Sequence, residues 1–226
     1  MNVVRQETPY RQALDWMRTQ IASGTWSVGA RIPTEPELTE MLGIGRNTVR
    51  EAIKTLTSTG VLEIRRGSGT FVRARSDLGG LLGRRVAIGE IGYVVEVRRA
   101  LELEAVRLAC DRRTDDDLAA LEHALADWGM AGKADFNEVD IRFHLSLVEA
   151  AHNPLLSELF AGILEPLRVT YDLTQGVHEP AVSAGYHRGV VDAIRDRDLP
   201  AALQFAQGYL DLQFEAVQQR TAEAHS

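Results

Sequence analysis

In the segment DIRFH, Asp140 and His144 stand four residues apart. On a helix that spacing puts a carboxylate and an imidazole on one face, where both can converge on a cation. His187, in YHRGVVDAI, lies on a later helical segment, and a packed bundle could bring it to the same place as a third ligand. The spacing alone is weakly specific, because Asp140 and His144 equally make a helix-surface pair and His187 a satisfied core histidine. Mixed nitrogen and oxygen donors would hold zinc, nickel or manganese without selecting one. Two histidines and one carboxylate with open positions would also suit a metal-dependent enzyme, although no acid or base motif accompanies these ligands.

A second constellation is basic. Arg46, Asn47, Arg50 and Lys54 fall on the first turns of a helix predicted from Arg46 to Ser58, opposite an apolar stripe of Val49, Ala52, Ile53 and Leu56. Such a face suits base edges and phosphates in a DNA major groove, while a merely solvated face has the same composition. The parts around it decide between the two. Thr34 and Glu37 form a capping box for a short helix from Glu35 to Leu42, despite Pro36 in its first turn. Gly43 ends that helix, and Gly60 stops the next. Residues 62–65 and 70–73 are strand-like runs around Arg66, Gly67, Ser68 and Gly69, a loop small enough to approach a phosphate or minor groove. Within about forty residues these parts make a winged helix-turn-helix.

Both constellations need elements to position them. Upstream of the winged module, residues 10–23 place Ala13, Leu14, Met17 and Ile21 as the buried face of a leading helix. Residues 76–89 carry four glycines and read as a linker able to become partly helical against a second domain. From residue 90 to 226 the pattern is helical: 91–112, 115–128, 134–151, 154–173, 180–195 and 199–220, with no convincing strand. Helices of that length on short loops pack as an antiparallel bundle large enough to enclose a ligand cavity. The expected fold class is mostly α: a winged helix-turn-helix over residues 1–75 with a small β-hairpin wing, then an all-α bundle.

The charge divides along the same line. Residues 1–75 carry a net +4 and the remainder −11, giving the chain's −7. A basic end suits phosphate and an acidic end does not, so the acidic total leaves DNA binding open. The single cysteine, Cys110, allows no intramolecular disulfide and fits a reduced setting. With no signal peptide and no apolar run of about 18 residues, a soluble cytoplasmic protein with no membrane partner is expected.

Residues 31–72 resemble the N-terminal domain of GntR-type bacterial transcription regulators, in IPTEPELTEMLGIGRNTVREAIKTL followed by GVLEIRRGSGTFV. The resemblance implies that Arg46, Asn47, Thr48 and Arg50 contact a DNA operator, together with Arg66 and Gly67 of the wing. Many relatives carry a DNA-contacting arginine where this chain has Pro36, so one contact is missing. Gly45 replaces the usual serine, a change in N-cap that costs only a few tenths of a kcal/mol.

The second half, roughly residues 90–215, is similar to the all-helical FCD effector domain of the FadR branch of that family, in EVRRALELEAVRLA, DIRFHLSLVEAAHNPLLSEL and YHRGVVDAIRDRD. Many FCD domains hold a divalent metal with an aspartate and three histidines. Asp140, His144 and His187 match three of these, and Tyr209, in FAQGYLDLQF, stands at the fourth. A phenol with an ordinary pKa of about 10 is a poor ligand unless metal lowers that value, and otherwise it is a hydrogen-bonding group for water or an anion. His178 is a loop substitute. Arg98 matches an arginine that faces the ligand cavity in some relatives, where it would take the carboxylate of a small organic acid through two parallel hydrogen bonds. The plainer alternative for Arg98 is an ion pair with Glu102, one turn on.

Taken together, the resemblance implies a regulator rather than an enzyme. It is expected to be a homodimeric repressor that reads a palindromic double-stranded DNA operator and answers to a small-molecule effector, a carboxylate held with a divalent metal. A metal-free regulator for a larger acyl ligand, like the acyl-coenzyme A binders of the same branch, accounts better for the missing fourth histidine and stays open.

Overall fold

The computed structural model describes residues 8–85, 91–130, 136–174 and 180–224. The chain divides into two compact units, Met1–Arg85 and Val86–Ser226. The first runs α1 (Pro9–Ala22), α2 (Glu35–Leu42), α3 (Arg46–Ser58), β1 (Leu62–Arg65), β2 (Gly69–Val72) and α4 (Asp77–Arg85).

Local chemistry sets these boundaries. Thr8 caps α1, its hydroxyl accepting from the Arg11 N–H at 3.3 Å. At α2 the Glu37 carboxylate accepts from both the backbone N–H and the hydroxyl of Thr34, each at 2.7 Å, which satisfies a donor the helix itself leaves orphaned. Beyond α3, Gly60 takes a φ of 82° and the Val61 N–H reaches back to the Leu56 carbonyl at 2.9 Å, a Schellman closure that turns the chain into the hairpin. There β1 and β2 pair antiparallel, with Leu62 opposite Val72 and Arg65 opposite Gly69. Met17 of α1, Leu38 of α2, Val49 and Leu56 of α3 and Val72 of β2 are fully buried in one core, which orients α3 with its basic face outward.

The expected linker differs from its sequence reading. Residues 77–85 form α4, which is held to the winged unit. Arg18 Nη2 donates to Asp77 Oδ2 at 2.7 Å, and Arg84 Nη2 donates to the Ser58 carbonyl at 2.6 Å. Gly80 explains the close approach, since a Cβ there would lie 2.4 Å from the Thr59 carbonyl oxygen. Linker residues 86–89 lie outside the described residues.

The second unit is helical among the described residues: α5 (Ile91–Arg112), α6 (Asp115–Met130), α7 (Phe136–Glu149), α8 (Pro154–Thr174), α9 (Pro180–Asp196) and α10 (Leu199–Ala224). Helix α5 packs against α7, α8, α9 and α10 and is the axis of the bundle. Its core gathers Val106, Leu121, Phe143, Leu147, Val191 and Ile194. Two glycines bring α9 and α10 together: a Cβ at Gly189 would fall 2.5 Å from the Phe205 ring, and one at Gly208 2.4 Å from the Tyr186 ring. That approach matters for function, because His187 lies two residues before Gly189 and Tyr209 directly follows Gly208. Among the described residues no helix is long and apolar enough to cross a membrane.

Candidate functional site

Two sites are built on this frame. On the winged unit, Arg46 and Asn47 are exposed on the first turn of α3, with Thr48 and Arg50 half-buried beside them. Glu35, the first residue of α2, faces both arginines. Its carboxylate accepts from Arg50 Nε at 3.1 and 3.2 Å and from Arg50 Nη2 at 2.9 Å. It also accepts from Arg46 Nε at 3.3 Å. The Arg50 hydrogen bond, seconded by Arg46 against some desolvation, holds the Glu35 carboxyl below the usual carboxylate range. Lys54 pairs instead with Glu51 at 2.8 Å. At the wing, Arg66 and Gly67 occupy the exposed tip, where Gly67 has a φ of 75°. Next to it the Arg65 guanidinium lies over the Phe71 ring at 4.5 Å, a contact that ties the tip to the strand below. Sequence reasoning placed the arginines but missed Glu35. Its signal was a carboxylate at the first helical position, next to Pro36.

In the bundle, α7 supplies Asp140 and His144, α9 supplies His187, and one ligand atom from each lies within 4.8 Å of the others. All three are buried, so the helix-surface alternative for Asp140 and His144 falls. Helix α5 adds Arg98 and Glu102, and α10 adds Tyr209. Arg98 Nε donates to Glu102 Oε1 at 2.6 Å, with the two side chains only 1% and 2% exposed. Arg98 Nη2 stands 3.9 Å from Asp140 Oδ2. The ion pair considered for Arg98 thus forms, but inside the cluster rather than away from it. By contrast Arg99 pairs with Asp211 at the surface. Glu102 and Tyr171 belong to the site without having been singled out for it. Tyr171 sets its ring 5.2 Å from the Arg98 guanidinium. Glu102 was legible only as a partner spaced four residues from Arg98. His178 lies outside the described residues.

Tyr209 stands at the fourth place as a donor. Its hydroxyl bonds Asp140 Oδ2 at 2.9 Å and Oδ1 at 3.1 Å. Burial first, then the nearby Asp140 charge, pushes its pKa well above the ordinary phenol value, so it keeps its proton. Asp140 goes the other way. Burial alone would raise it, but His144, His187 and Arg98 together hold it below the ordinary carboxylate range. Glu102 is likewise kept low by Arg98 and His144 against its own burial. His187 is pushed down to about 3, chiefly by burial and against the pull of Asp140, and is therefore a neutral imidazole.

This donor set fits a divalent cation. His144 Nδ1 lies 3.0 Å from Glu102 Oε2 while its Nε2 turns to Asp140 Oδ2 at 3.5 Å, and His187 Nε2 is 3.6 Å from Asp140 Oδ1. A carboxylate behind one ring nitrogen with the other facing the cluster is the usual arrangement behind a metal-ligating histidine. His144 Nε2, both ring nitrogens of His187 and Arg98 Nη2 are buried without a hydrogen-bond partner among the described residues. Buried polar atoms of this kind call for a ligand or ion. Apart from the histidines, two buried carboxylates also face one guanidinium, an excess of negative charge that a cation would offset.

Comparison with known proteins bears on both sites. The pattern described as "Bacterial regulatory proteins, gntR family" matches residues 9–72, and the FCD domain matches residues 93–212. The galactonate operon transcriptional repressor of Escherichia coli (strain K12) is 32% identical over 200 residues, covering 83% of this chain and 87% of that protein. The putative L-lactate dehydrogenase operon regulatory protein of the same organism is 28% identical over 212 residues, 88% of this chain and 82% of its own. Among solved structures, the Streptococcus agalactiae GntR protein superposes with a TM-score of 0.56 at 27% identity, over 92% of this chain and 99% of that one. These relatives are transcription regulators, which removes the metal-enzyme alternative. The chain belongs to the gntR family of bacterial regulatory proteins and carries a C-terminal FCD domain.

Proposed function

We propose that this protein is a cytoplasmic, ligand-responsive repressor, acting as a homodimer on a palindromic operator. Arg46, Asn47, Thr48 and Arg50 enter the major groove, and Arg66 and Gly67 meet the adjacent backbone or minor groove. A single winged module offers only a small specific interface, and two-fold symmetry doubles it. The domains divide the work: residues 1–75 bind DNA, and residues 90–226 bind effector and form the dimer.

The effector is a small carboxylate. The observation that carries this reading is Arg98 Nη2, a buried guanidinium nitrogen left without a hydrogen-bond partner beside Asp140, His144 and His187. Asp140, His144 and His187 would hold a divalent zinc, nickel or manganese ion, which supplies a Lewis-acidic position for an oxygen of the effector. Arg98 takes the carboxylate, and Tyr209 keeps Asp140 oriented. The relatives named for the galactonate and L-lactate dehydrogenase operons support the class, since galactonate and lactate are both 2-hydroxy acids. The cluster is closed to solvent, so effector entry requires surrounding helices to move, and a ligand that favours the opened arrangement shifts the protein's population toward it.

The test is metal content by mass spectrometry of the purified full chain, followed by thermal unfolding with a panel of 2-hydroxy acids and operator binding at saturating acid. Near-stoichiometric metal, stabilisation by one acid that chelation abolishes, and weakened operator binding would support the proposal. An operator affinity unchanged by every stabilising acid would sink it. The second reading, a metal-free site for a larger acyl ligand, draws on the Tyr209 hydroxyl that engages both Asp140 oxygens. It requires fatty acyl thioesters to stabilise the fold in chelator where short acids do not.

A further inference from the structure

Glu35 is an acidic residue on a surface that meets phosphate, and its place there needs a reason. A carboxylate near the DNA face weakens binding to any duplex by repulsion. Yet this one is in contact with the two arginines assigned to the operator, and it sits at the N-terminus of α2, where the helix dipole favours negative charge.

The contacts on the two arginines are unequal. Arg46 is engaged only through Nε, at 3.3 Å, so its two terminal nitrogens are left without a partner among the described residues. That terminal pair is the edge with which arginine meets O6 and N7 of guanine. Arg50 is engaged through Nε and Nη2, which leaves Nη1. One remaining nitrogen suits a single contact to a phosphate or base oxygen, not a bidentate one. Pro36 follows Glu35 and offers no donor of its own, so at this end of α2 the carboxylate is the group that meets α3.

We propose that Glu35 is a specificity-determining positioning residue: it pins Arg46 for end-on reading of a guanine, restricts Arg50 to a single contact, and discourages either arginine from settling on phosphates of unmatched DNA. On a matched duplex the fixed guanidinium is already aimed. On unmatched DNA, phosphates that lie away from that aim are reached only when an arginine leaves Glu35, which strands the carboxylate without a partner. The inference rests on the proposed DNA-reading role of α3.

The experiment begins with the full-length wild-type protein selecting duplexes from a randomised pool. Affinity is then measured by fluorescence anisotropy on one selected duplex and on an unselected duplex of equal length, across a salt series. Glu35→Gln should lower the ratio of the two affinities by about tenfold. Most of that change should come from tighter binding to the unselected duplex, with a salt slope steeper by about 1 per protomer and a melting temperature lowered by no more than the few degrees that losing one helix-terminal charge costs. Glu35→Asp keeps the charge and shortens the reach. It should lower the ratio without tightening the unselected duplex, and it stands in should the glutamine variant fold poorly. In an Arg46→Lys background, Glu35→Gln should lower the ratio by less than it does alone, because part of its effect acts through Arg46.

Unchanged ratios in both Glu35 variants would overturn the proposal. So would an equal loss on both duplexes with a melting temperature lowered further than that charge accounts for, which marks a purely structural role, or full additivity with Arg46→Lys. If the wild-type protein enriches no sequence at all, the DNA-reading assignment of α3 fails and takes this inference with it. Enrichment by wild type with an indifferent Glu35 sinks the inference alone.

Discussion

On α3 the arginines are open to water. The side chains of Arg46 and Arg50 are 62% and 42% exposed, and their shared partner Glu35 is 28% exposed. In the bundle Arg98 and Glu102 make the same kind of pair at 1% and 2%. The first pair sits in high dielectric and is screened by salt, so its Coulomb energy is small and its effect is on side-chain geometry more than on stability. The second has lost its hydration, and each charge depends on the other. The same two side-chain types therefore make a water-exposed pair that salt weakens in one unit and a desolvated pair beside Asp140 and His144 in the other.

The sharpest way to break that comparison is to remove one charge from each pair. Arg98→Met should destabilise the second unit by about 3–5 kcal/mol, because it strands a buried Glu102. Arg46→Met should stay within about 0.5 kcal/mol of wild type, as surface changes do. Urea unfolding of the two full-length variants decides it, and a loss below about 1 kcal/mol for Arg98→Met would mean that water reaches the cluster. The double variant Arg98→Met with Glu102→Leu should recover most of the loss, since a buried pair exchanged for apolar groups is often neutral.

Tyr209→Phe comes next. It removes the one O–H that the two oxygens of the ionised Asp140 share and should cost about 1.5–3 kcal/mol in the same unfolding assay; a neutral result would show that water or a cation already satisfies that carboxylate.

A smaller effect follows from His187, whose folded value of about 3 lies below its ordinary 6.5. Between those limits the unfolded chain binds the extra proton. The stability this histidine contributes is therefore fully present above about pH 6.5 and is lost as pH falls toward 3, by at most about 1.4 kcal/mol per pH unit. In chelated protein the urea midpoint should fall between about pH 7 and 5, a range above most carboxylate titration. It should fall less in His187→Asn, and equal slopes in the two proteins would remove His187 as the cause.

The smallest expected change returns to the exposed unit. Gly45 caps α3 with a φ of −63° and no side-chain hydrogen bond. A Cβ there meets only Thr48 Oγ1, at 3.9 Å. Gly45→Ser should raise stability by a few tenths of a kcal/mol, read as a small rise in the first unit's urea midpoint, and any loss would show that the cap is strained.

Legibility followed the range of the interactions. The bounds of α2 and α3 could be read from Thr34, Glu37, Gly43 and Gly60 because caps and stops act within a few residues. In the bundle, α5 could be read end to end, and Asp140 and His144 could be paired by spacing. The linker reading allowed a partly helical segment but set it against the second domain, because its glycines suggested a break from the winged module. In the structure one of them, Gly80, is where α4 meets the end of α3. Glu35 and Glu102 escaped for a related reason. A glutamate on a helix is ordinary, and only its neighbours across the fold make it part of a site.

What the sequence by itself determined is the run of helices and the hairpin and the basic face of α3, since each rests on periodicity and caps whose partners lie within a turn or two; the family followed from the resemblance of its motifs. Only the tertiary structure decided that Arg98, Asp140, His144, His187 and Tyr209 meet. They come from α5, α7, α9 and α10, and the Tyr209–Asp140 hydrogen bond alone joins residues 69 apart. Such a meeting depends on how whole helices pack, down to the bare surfaces of Gly189 and Gly208 that let α9 and α10 close on each other. Burial then sets the chemistry: away from water the phenol keeps its proton, the imidazole of His187 stays neutral, and the carboxylates stay charged only because Arg98 and the histidines stand beside them.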